Sequence, residues 1–362
     1  METPLFPSPP RRLCLLRLSA IGDVVHVVPV VRTIQAHWPE TAITWVVGAL
    51  EHSLVGDLPG VEFLVFDKSL GWRAYRGLRK SLQGREFEVL LDLQPSLRAS
   101  IAAMGIRAPI KLGFDRKRAK DWQWLFTTHR IAATPRQHVM EGFFGFLETL
   151  GIRDRVLRWD IPIPEEARRH ALQVLPADKP VLAINPCANL RLRNWRTWNA
   201  EGYAAVADHA AERHGLAVVL TGGPSEREQE FGRQILRLCR SSAPLDLIGR
   251  TSLKGLLAVL ERAVALVAPD TGPAHMATAV GTPVIGLYAS TNPMRASPYL
   301  SREWLVDKYP EALYAEYGLT VQEAPWGKRV RNPEAMNRIR VRDVTGMLDA
   351  FMARRNPDPH GG

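Results

Sequence analysis

Along most of this chain, apolar runs of three to six residues alternate with stretches of helical periodicity, and that alternation leaves few folds open. Residues 13–18 (LCLLRL), 42–47 (AITWVV), 61–66 (VEFLVF) and 89–93 (VLLDL) read as strands with helical stretches between them, the first over 24–36. Runs this apolar suit a parallel sheet covered on both faces. The pattern pauses over 161–177, which holds Pro162, Pro164 and Pro176. It restarts with strands at 181–184 (VLAI), 217–220 (AVVL), 246–248, 265–268 and 283–288 (PVIGLY). Helices are expected at 253–263, 270–280 and, after a weakly patterned stretch beyond Pro325, at 343–355. Pro29 is expected in the first turn of its helix, where a missing N–H is tolerated. At 362 residues the chain exceeds what one core usually serves. These features predict an α/β protein of two consecutive open-sheet units, joined near the prolines, with a ligand-binding cleft between them.

Charge is informative through its placement. Between Lys68 and Arg136 lie fifteen Lys/Arg and five Asp/Glu, which is the whole net charge of +10; the remaining 32 basic and 32 acidic residues balance. So confined an excess points to a phosphate-rich partner: nucleic acid, an anionic membrane surface or an anionic glycolipid. Lys68, Arg73, Arg76, Arg79 and Lys80 cluster with Trp72 and Tyr75, and Arg116, Lys117, Arg118 and Lys120 with Trp122 and Trp124. Such interleaving suits base stacking, a sugar or lipid headgroup, or simply a solvated helix face. Three cysteines without metal-ligand spacing indicate a reducing compartment, and no apolar run is long enough to span a membrane. The opening METPLFPSPPRR lacks the apolar core of an export signal. There is no G-x-G-x-x-G after a strand, no P-loop, no G-x-S-x-G elbow, no H-x-x-x-H pair and no Asp-x-Asp, so dinucleotide, P-loop, serine-hydrolase and common metal chemistries lack their usual residues.

Four strand-end segments carry candidate chemistry, because ligands of open α/β sheets bind at the carboxyl ends of strands. In Arg17-Leu-Ser-Ala-Ile-Gly-Asp23, Gly22 permits close backbone approach and Asp23 is either a general base or a helix N-cap. Asp270-Thr-Gly-Pro-Ala-His275 is a turn whose amides can hold a phosphate, or a capping turn with a partly buried histidine. The loop from Asn185 to Trp195 offers Arg191 and Arg193 as a diphosphate grip, or as solvated side chains. Thr221-Gly-Gly-Pro-Ser-Glu226 is a glycine turn entering a helix, with Glu226 placed to accept hydrogen bonds from a ribose.

The segments RLSAIGDVVHVVPVV, NPCANLRLRNW and APDTGPAHMATAVGTPVIGLYASTNP, in this order, resemble family 9 glycosyltransferases, the ADP-heptose:lipopolysaccharide heptosyltransferases. The likeness runs from about Leu13 to Pro293. It implies a GT-B fold of two Rossmann-like domains: residues 1–170 binding the acceptor, 171–330 binding the nucleotide sugar, and 331–362 with a helix crossing back to the first. It implies inverting, metal-independent heptose transfer from ADP-L-glycero-D-manno-heptose to a Kdo-lipid A type acceptor. Asp23 is then the catalytic base. Asp270, Thr271, Gly272 and His275 form the donor turn, Glu226 contacts the nucleotide, and Arg193 takes a position where family members carry lysine. Lys68, Arg73, Arg76, Arg116, Lys117, Arg118 and Lys120 are the acceptor-binding set. The same resemblance implies no metal and no cofactor beyond the donor substrate, no nucleic-acid partner, a monomer, and a cytoplasmic enzyme peripheral to the inner membrane. A family 9 enzyme with another nucleotide-sugar donor, and a non-catalytic nucleic-acid binder, are the competing readings.

Overall fold

The computed structural model describes residues 5, 6, 8–188 and 195–355. They form two compact units that divide at Pro162 and Ile163. The first contains β1 (Arg12–Leu16), α1 (Ile21–His37), β2 (Ala42–Gly48), α2 (Ala49–Val55), β3 (Val61–Phe66), α3 (Trp72–Ser81), β4 (Val89–Asp92), α4 (Leu97–Met104), β5 (Ile110–Gly113), β6 (His129–Arg130) and α5 (Val139–Thr149). Its six strands are parallel in the order β3-β2-β1-β4-β5-β6.

The second unit contains α6 (Glu165–Val174), β7 (Val181–Ile184), α7 (Ala200–His214), β8 (Ala217–Leu220), α8 (Glu226–Leu238), β9 (Leu245–Asp246), α9 (Leu253–Arg262) and β10 (Ala263–Pro269). It continues with α10 (Gly272–Ala279), β11 (Val284–Tyr288), α11 (Pro293–Ala296), β12 (Leu305–Asp307), α12 (Tyr309–Tyr317) and α13 (Val341–Arg355). The order β12-β11-β10-β7-β8-β9, again parallel, repeats the first sheet's topology strand for strand when counted from β7. In each unit the chain leaves its first strand toward one sheet edge and its fourth toward the other. The loops after β1 and β4, and after β7 and β10, therefore diverge and open a crevice at the strands' carboxyl ends.

The strands flanking these crevices are the most buried. Leu13–Leu16 and Val89–Leu91 are fully enclosed, as is most of β10. Pro29 sits well inside α1 rather than in its first turn. A proline there cannot donate to the carbonyl four residues back, that of Val25. The buried Trp159 supplies the missing donor, its indole N–H reaching Val25 O at 3.0 Å.

The division at Pro162 and Ile163 places α6 in the second unit, where it lies on α9 and Arg168 pairs with Glu261. Residues 331–355 are likewise built into this unit. Val344, Leu348, Phe351 and Met352 of α13 enter its core, and Trp198 donates to Ile339 O at 3.0 Å.

Candidate active site at the strand-order reversals

In the first unit, the loop after β4 braces the loop after β1. Gln94 Oε1 accepts from the Leu18 and Ser19 amides at 2.7 and 3.1 Å. Arg17, 7% exposed, donates to Leu93 O at 2.5 Å, lies over the Phe143 ring and pairs with the Asp23 carboxylate. Ala20 occupies the N-cap position of α1, so Asp23 is not the cap but a first-turn residue. Its side chain is 32% exposed. A carboxylate oriented by a buried guanidinium and open on one side to solvent has the geometry of a general base.

Two further carboxyls lie nearby that the sequence motifs do not single out. Glu51 is buried on α2; burial raises its pKa, opposed by its own backbone hydrogen bond and by Lys68 and Arg17. Gly48 permits that placement. Its N–H donates to Leu18 O at 3.1 Å, and a Cβ there would collide with this carbonyl and with the Glu51 carboxyl. Asp92 ends β4 with no exposure. Burial pushes its pKa up to about 7, against hydrogen bonds from Gln123 and the Gln94 amide and the charges of Arg17 and Lys111. Its Oδ1 accepts from the Gln94 amide at 3.3 Å, while Oδ2 has no hydrogen-bond partner among the described residues. Asp92 closes one strand and Glu51 lies just beyond another, the local signal by which a sequence could flag them.

In the second unit, β10 runs into Asp270 and Thr271. Thr271 caps α10, its Oγ1 accepting from the Ala274 amide at 3.4 Å, and Gly272 opens the helix. His275 is buried one turn along. Asp270 is 9% exposed, and its backbone oxygen and Oδ2 accept from Arg196 Nη1 at 2.9 and 3.2 Å. Arg196 escapes notice in the sequence because a lone loop arginine has no pattern of its own. Arg193 and Arg191 lie outside the described residues.

More cations arrive from a distant segment. Arg329 bridges antiparallel to Thr291, and the hydroxyls of Tyr309 and Tyr317 donate to Lys328 O and Arg329 O at 3.0 and 3.1 Å. This fixes Arg295, Lys328 and Arg329 around one hollow beside Asp270, Thr291 and Asn292. The Arg329 side chain still reaches solvent, yet its pKa is lowered, first by desolvation and then by Arg196, Arg295 and Arg331, with Asp270 opposing. Guanidiniums crowded against a single carboxylate make a site that gains from an incoming anion.

The glycine turn after β8 is closed by Glu228. Glu228 folds back, accepting from the Gly223 amide at 2.6 Å, while Ser225 accepts from the Glu228 amide at 3.3 Å. This is a reciprocal capping arrangement. Glu226 stands exposed at the start of α8. Cys187, near the end of β7, is buried and its thiol pKa is raised, mainly by desolvation and also by Glu228, which removes it as a nucleophile.

The basic segment divides into two parts. Arg73, Arg76, Arg79 and Lys80 are exposed on α3, whose other face buries Ala74 and Leu78, and none makes an ion pair among the described residues. Trp72 beside them is 71% exposed, and Lys68 is exposed one turn earlier. In the second part, Arg116 stacks on Trp124, and Lys117 and Lys120 face solvent. Arg118 pairs with Asp115 of its own loop and reaches across to Gln137 and Ala132 O in the loop after β6. No described helix is long and apolar enough to cross a membrane.

A family model described as glycosyltransferase family 9 (heptosyltransferase) matches residues 75–316. The chain is 38% identical over 345 residues to the lipopolysaccharide core heptosyltransferase OpsX of Haemophilus influenzae, across 95% of this chain and 98% of the relative. Among solved structures, a family 9 glycosyl transferase from Veillonella parvula aligns with a TM-score of 0.78 at 22% identity, covering 98% of this chain and 99% of that one. E. coli heptosyltransferase WaaC with ADP aligns at 0.70 and 19% identity, covering 94% and 99%. At these identities the structural likeness speaks for the fold, and the expected α/β fold of the GT-B class, with two Rossmann-like sheets, holds.

Proposed function

We propose, given that this chain belongs to glycosyltransferase family 9 and is a heptosyltransferase of the lipopolysaccharide core, that it transfers heptose from ADP-L-glycero-D-manno-heptose to an anionic Kdo-lipid A type acceptor with inversion. The observation that carries this reading is the opposite chemistry at two equivalent crevices. The first presents an oriented carboxylate, Asp23; the second presents a helix N-terminus and the cations Arg196, Arg295, Lys328 and Arg329.

In this mechanism Asp23 takes the proton of the acceptor hydroxyl as its oxygen attacks the anomeric carbon. The new C–O bond forms on the face opposite the departing ADP, and the bond to the β-phosphate oxygen breaks. Negative charge developing on that oxygen is met by the Thr271 and Gly272 amides and by the fixed guanidiniums, with Arg193 a further donor from the adjoining loop. Those cations supply the neutralisation for which other transferases recruit a divalent ion. Glu226 is assigned to the ribose and His275 to the donor's phosphates or sugar. The exposed cations Lys68, Arg73, Arg76, Arg116, Lys117 and Lys120 steer the phosphorylated acceptor at the inner leaflet. On this reading the enzyme is cytoplasmic, peripheral to the membrane and monomeric.

A transfer assay tests the reading. ADP-heptose and Kdo-lipid A, with chelator present, are expected to yield a heptosylated product whose anomeric configuration, read by NMR, is opposite to the donor's. Arg196→Met is expected to weaken ADP binding by about tenfold or more, the loss of one charge-assisted contact. Preference for a UDP- or GDP-sugar would replace the donor assignment. Dependence on divalent metal would overturn the account of the leaving group.

A further inference from the structure

We propose that His209, His214 and Asp349 form a binding site for one zinc-class divalent ion, which ties the last helix, α13, to α7. It shares no residue with either strand-end crevice. His209 and His214 lie five residues apart toward the end of α7, and Asp349 comes from the middle of α13. The two Nε2 atoms approach the same carboxylate oxygen, Asp349 Oδ1, at 2.7 and 2.6 Å. The three candidate ligand atoms all lie within 4.8 Å of one another, and the two rings stand 5.7 Å apart at 70°.

Two imidazole nitrogens and one carboxylate oxygen are a donor set that zinc takes with water completing its tetrahedron. Metal–ligand distances of about 2.0–2.2 Å put tetrahedral ligand atoms roughly 3.3–3.6 Å apart. Each imidazole nitrogen therefore needs to part from Asp349 Oδ1 by about 1 Å or less, a rotamer-scale adjustment of side chains on two packed helices. Each is reachable from solvent, with side-chain exposures of 28% for His209, 14% for His214 and 42% for Asp349. The ion can therefore enter, and water can fill its open position. Nothing in the sequence signals this arrangement, because the histidine spacing is not i,i+4 and the third ligand is 135 residues away. The bare alternative is a hydrogen-bond clamp in which both Nε2 atoms are protonated and donate to the carboxylate.

The test uses the full chain without a polyhistidine tag, stripped by chelator and dialysed. Zn²⁺ titrated by calorimetry is expected to bind at one equivalent and to raise the melting temperature. Co²⁺ is expected to give the visible absorption of nitrogen and oxygen ligation, without a thiolate charge-transfer band. The double variant His209→Gln, His214→Gln should lose affinity by about tenfold or more. Asp349→Asn keeps an acceptor oxygen for the two rings and so keeps the helix docked; it too should lose the metal-induced shift. Equal binding by wild type and double variant, or no binding by either, would overturn the proposal and leave the hydrogen-bond clamp. A thiolate band would overturn it by moving the ion to the cysteines.

Discussion

Asp23 is held by one contact that can be altered without touching the core. Asp23→Asn keeps the size of the side chain and an oxygen for Arg17 but cannot accept a proton. The transfer rate is expected to fall by about 10²–10⁴, with ADP affinity and melting temperature unchanged. A variant with the wild-type rate would assign the base elsewhere, and Glu51 is the next carboxyl at that turn. Asp92 responds differently because it has no exposure. With its pKa raised to about 7 in the folded chain and near 3.9 when unfolded, it is neutral in both states below about pH 4 and costs nothing there. Between pH 4 and 7 the unfolded chain releases the proton while the folded chain retains it, so stability declines as pH rises, then levels above 7. Asp92→Asn removes this dependence. Chemical denaturation should find the variant more stable than wild type by on the order of 2–4 kcal/mol at pH 8, and equal to it near pH 4. Asp270 is legible in the sequence because it directly follows an apolar run, and Asp23 because it lies in the glycine-containing turn after the first such run. Arg196, Arg295 and Arg329 are not, because two loops and the short helix α11 supply them and only the fold brings them together.

At the scale of elements, α1 shows how a local rule and its exception are reconciled by tertiary structure. The helical stretch is plain in the sequence, and the proline rule then places Pro29 in the first turn. The helix instead begins at Ile21 and continues through Pro29, because Trp159 satisfies the carbonyl that proline frees. Trp159→Phe should cost about 1–3 kcal/mol beyond its small loss of packing, since Val25 O is then buried without a donor. Adding Pro29→Ala restores a backbone N–H for that carbonyl, so the double variant should recover most of the loss. Additive costs in the denaturation cycle would show that the indole contributes through packing alone. The same locality explains which strands go unseen. Strands β7, β8, β10 and β11 of the second sheet are apolar throughout, and β1, β2 and β4 of the first are so except for Arg12, Thr44 and Asp92, whereas β6 has two residues, β12 has three, and β5 carries Lys111. Edge strands this short hold too few residues for a period to register. Glu228 illustrates the reverse case: S-x-x-E at 225–228 is a capping signature present in the sequence, and it accounts for the closure of the glycine turn.

For the whole molecule, the decisive quantity is the placement of +10 within residues 68–136 while the rest of the chain is neutral. Burying Ala74 and Leu78 turns Arg73, Arg76, Arg79 and Lys80 outward beside the exposed Trp72, and Trp122 and Leu125 of the second basic part are 66% and 62% exposed. Exposed indoles next to exposed cations suit a surface that is anionic at its headgroups and apolar just beneath. A nucleic-acid duplex would engage the charges but gains nothing from Leu125. Each cation near an anionic bilayer contributes about 1 kcal/mol, so removing four should reduce partitioning by roughly two to three orders of magnitude. Sedimentation with vesicles of mixed anionic and neutral lipid is expected to capture the wild-type chain at low salt and to release it as salt shortens the Debye length to about 3 Å near 1 M. The variant with Arg73, Arg76, Arg79 and Lys80 all changed to Gln should remain in the supernatant, while its transfer rate to a soluble, delipidated acceptor changes far less than its rate to vesicle-bound acceptor. Equal losses on both acceptors would mean that these side chains grip the sugar phosphates themselves. Undiminished vesicle binding would transfer the surface role to other exposed cations of the segment, among them Arg116, Lys117 and Lys120 beside Trp122.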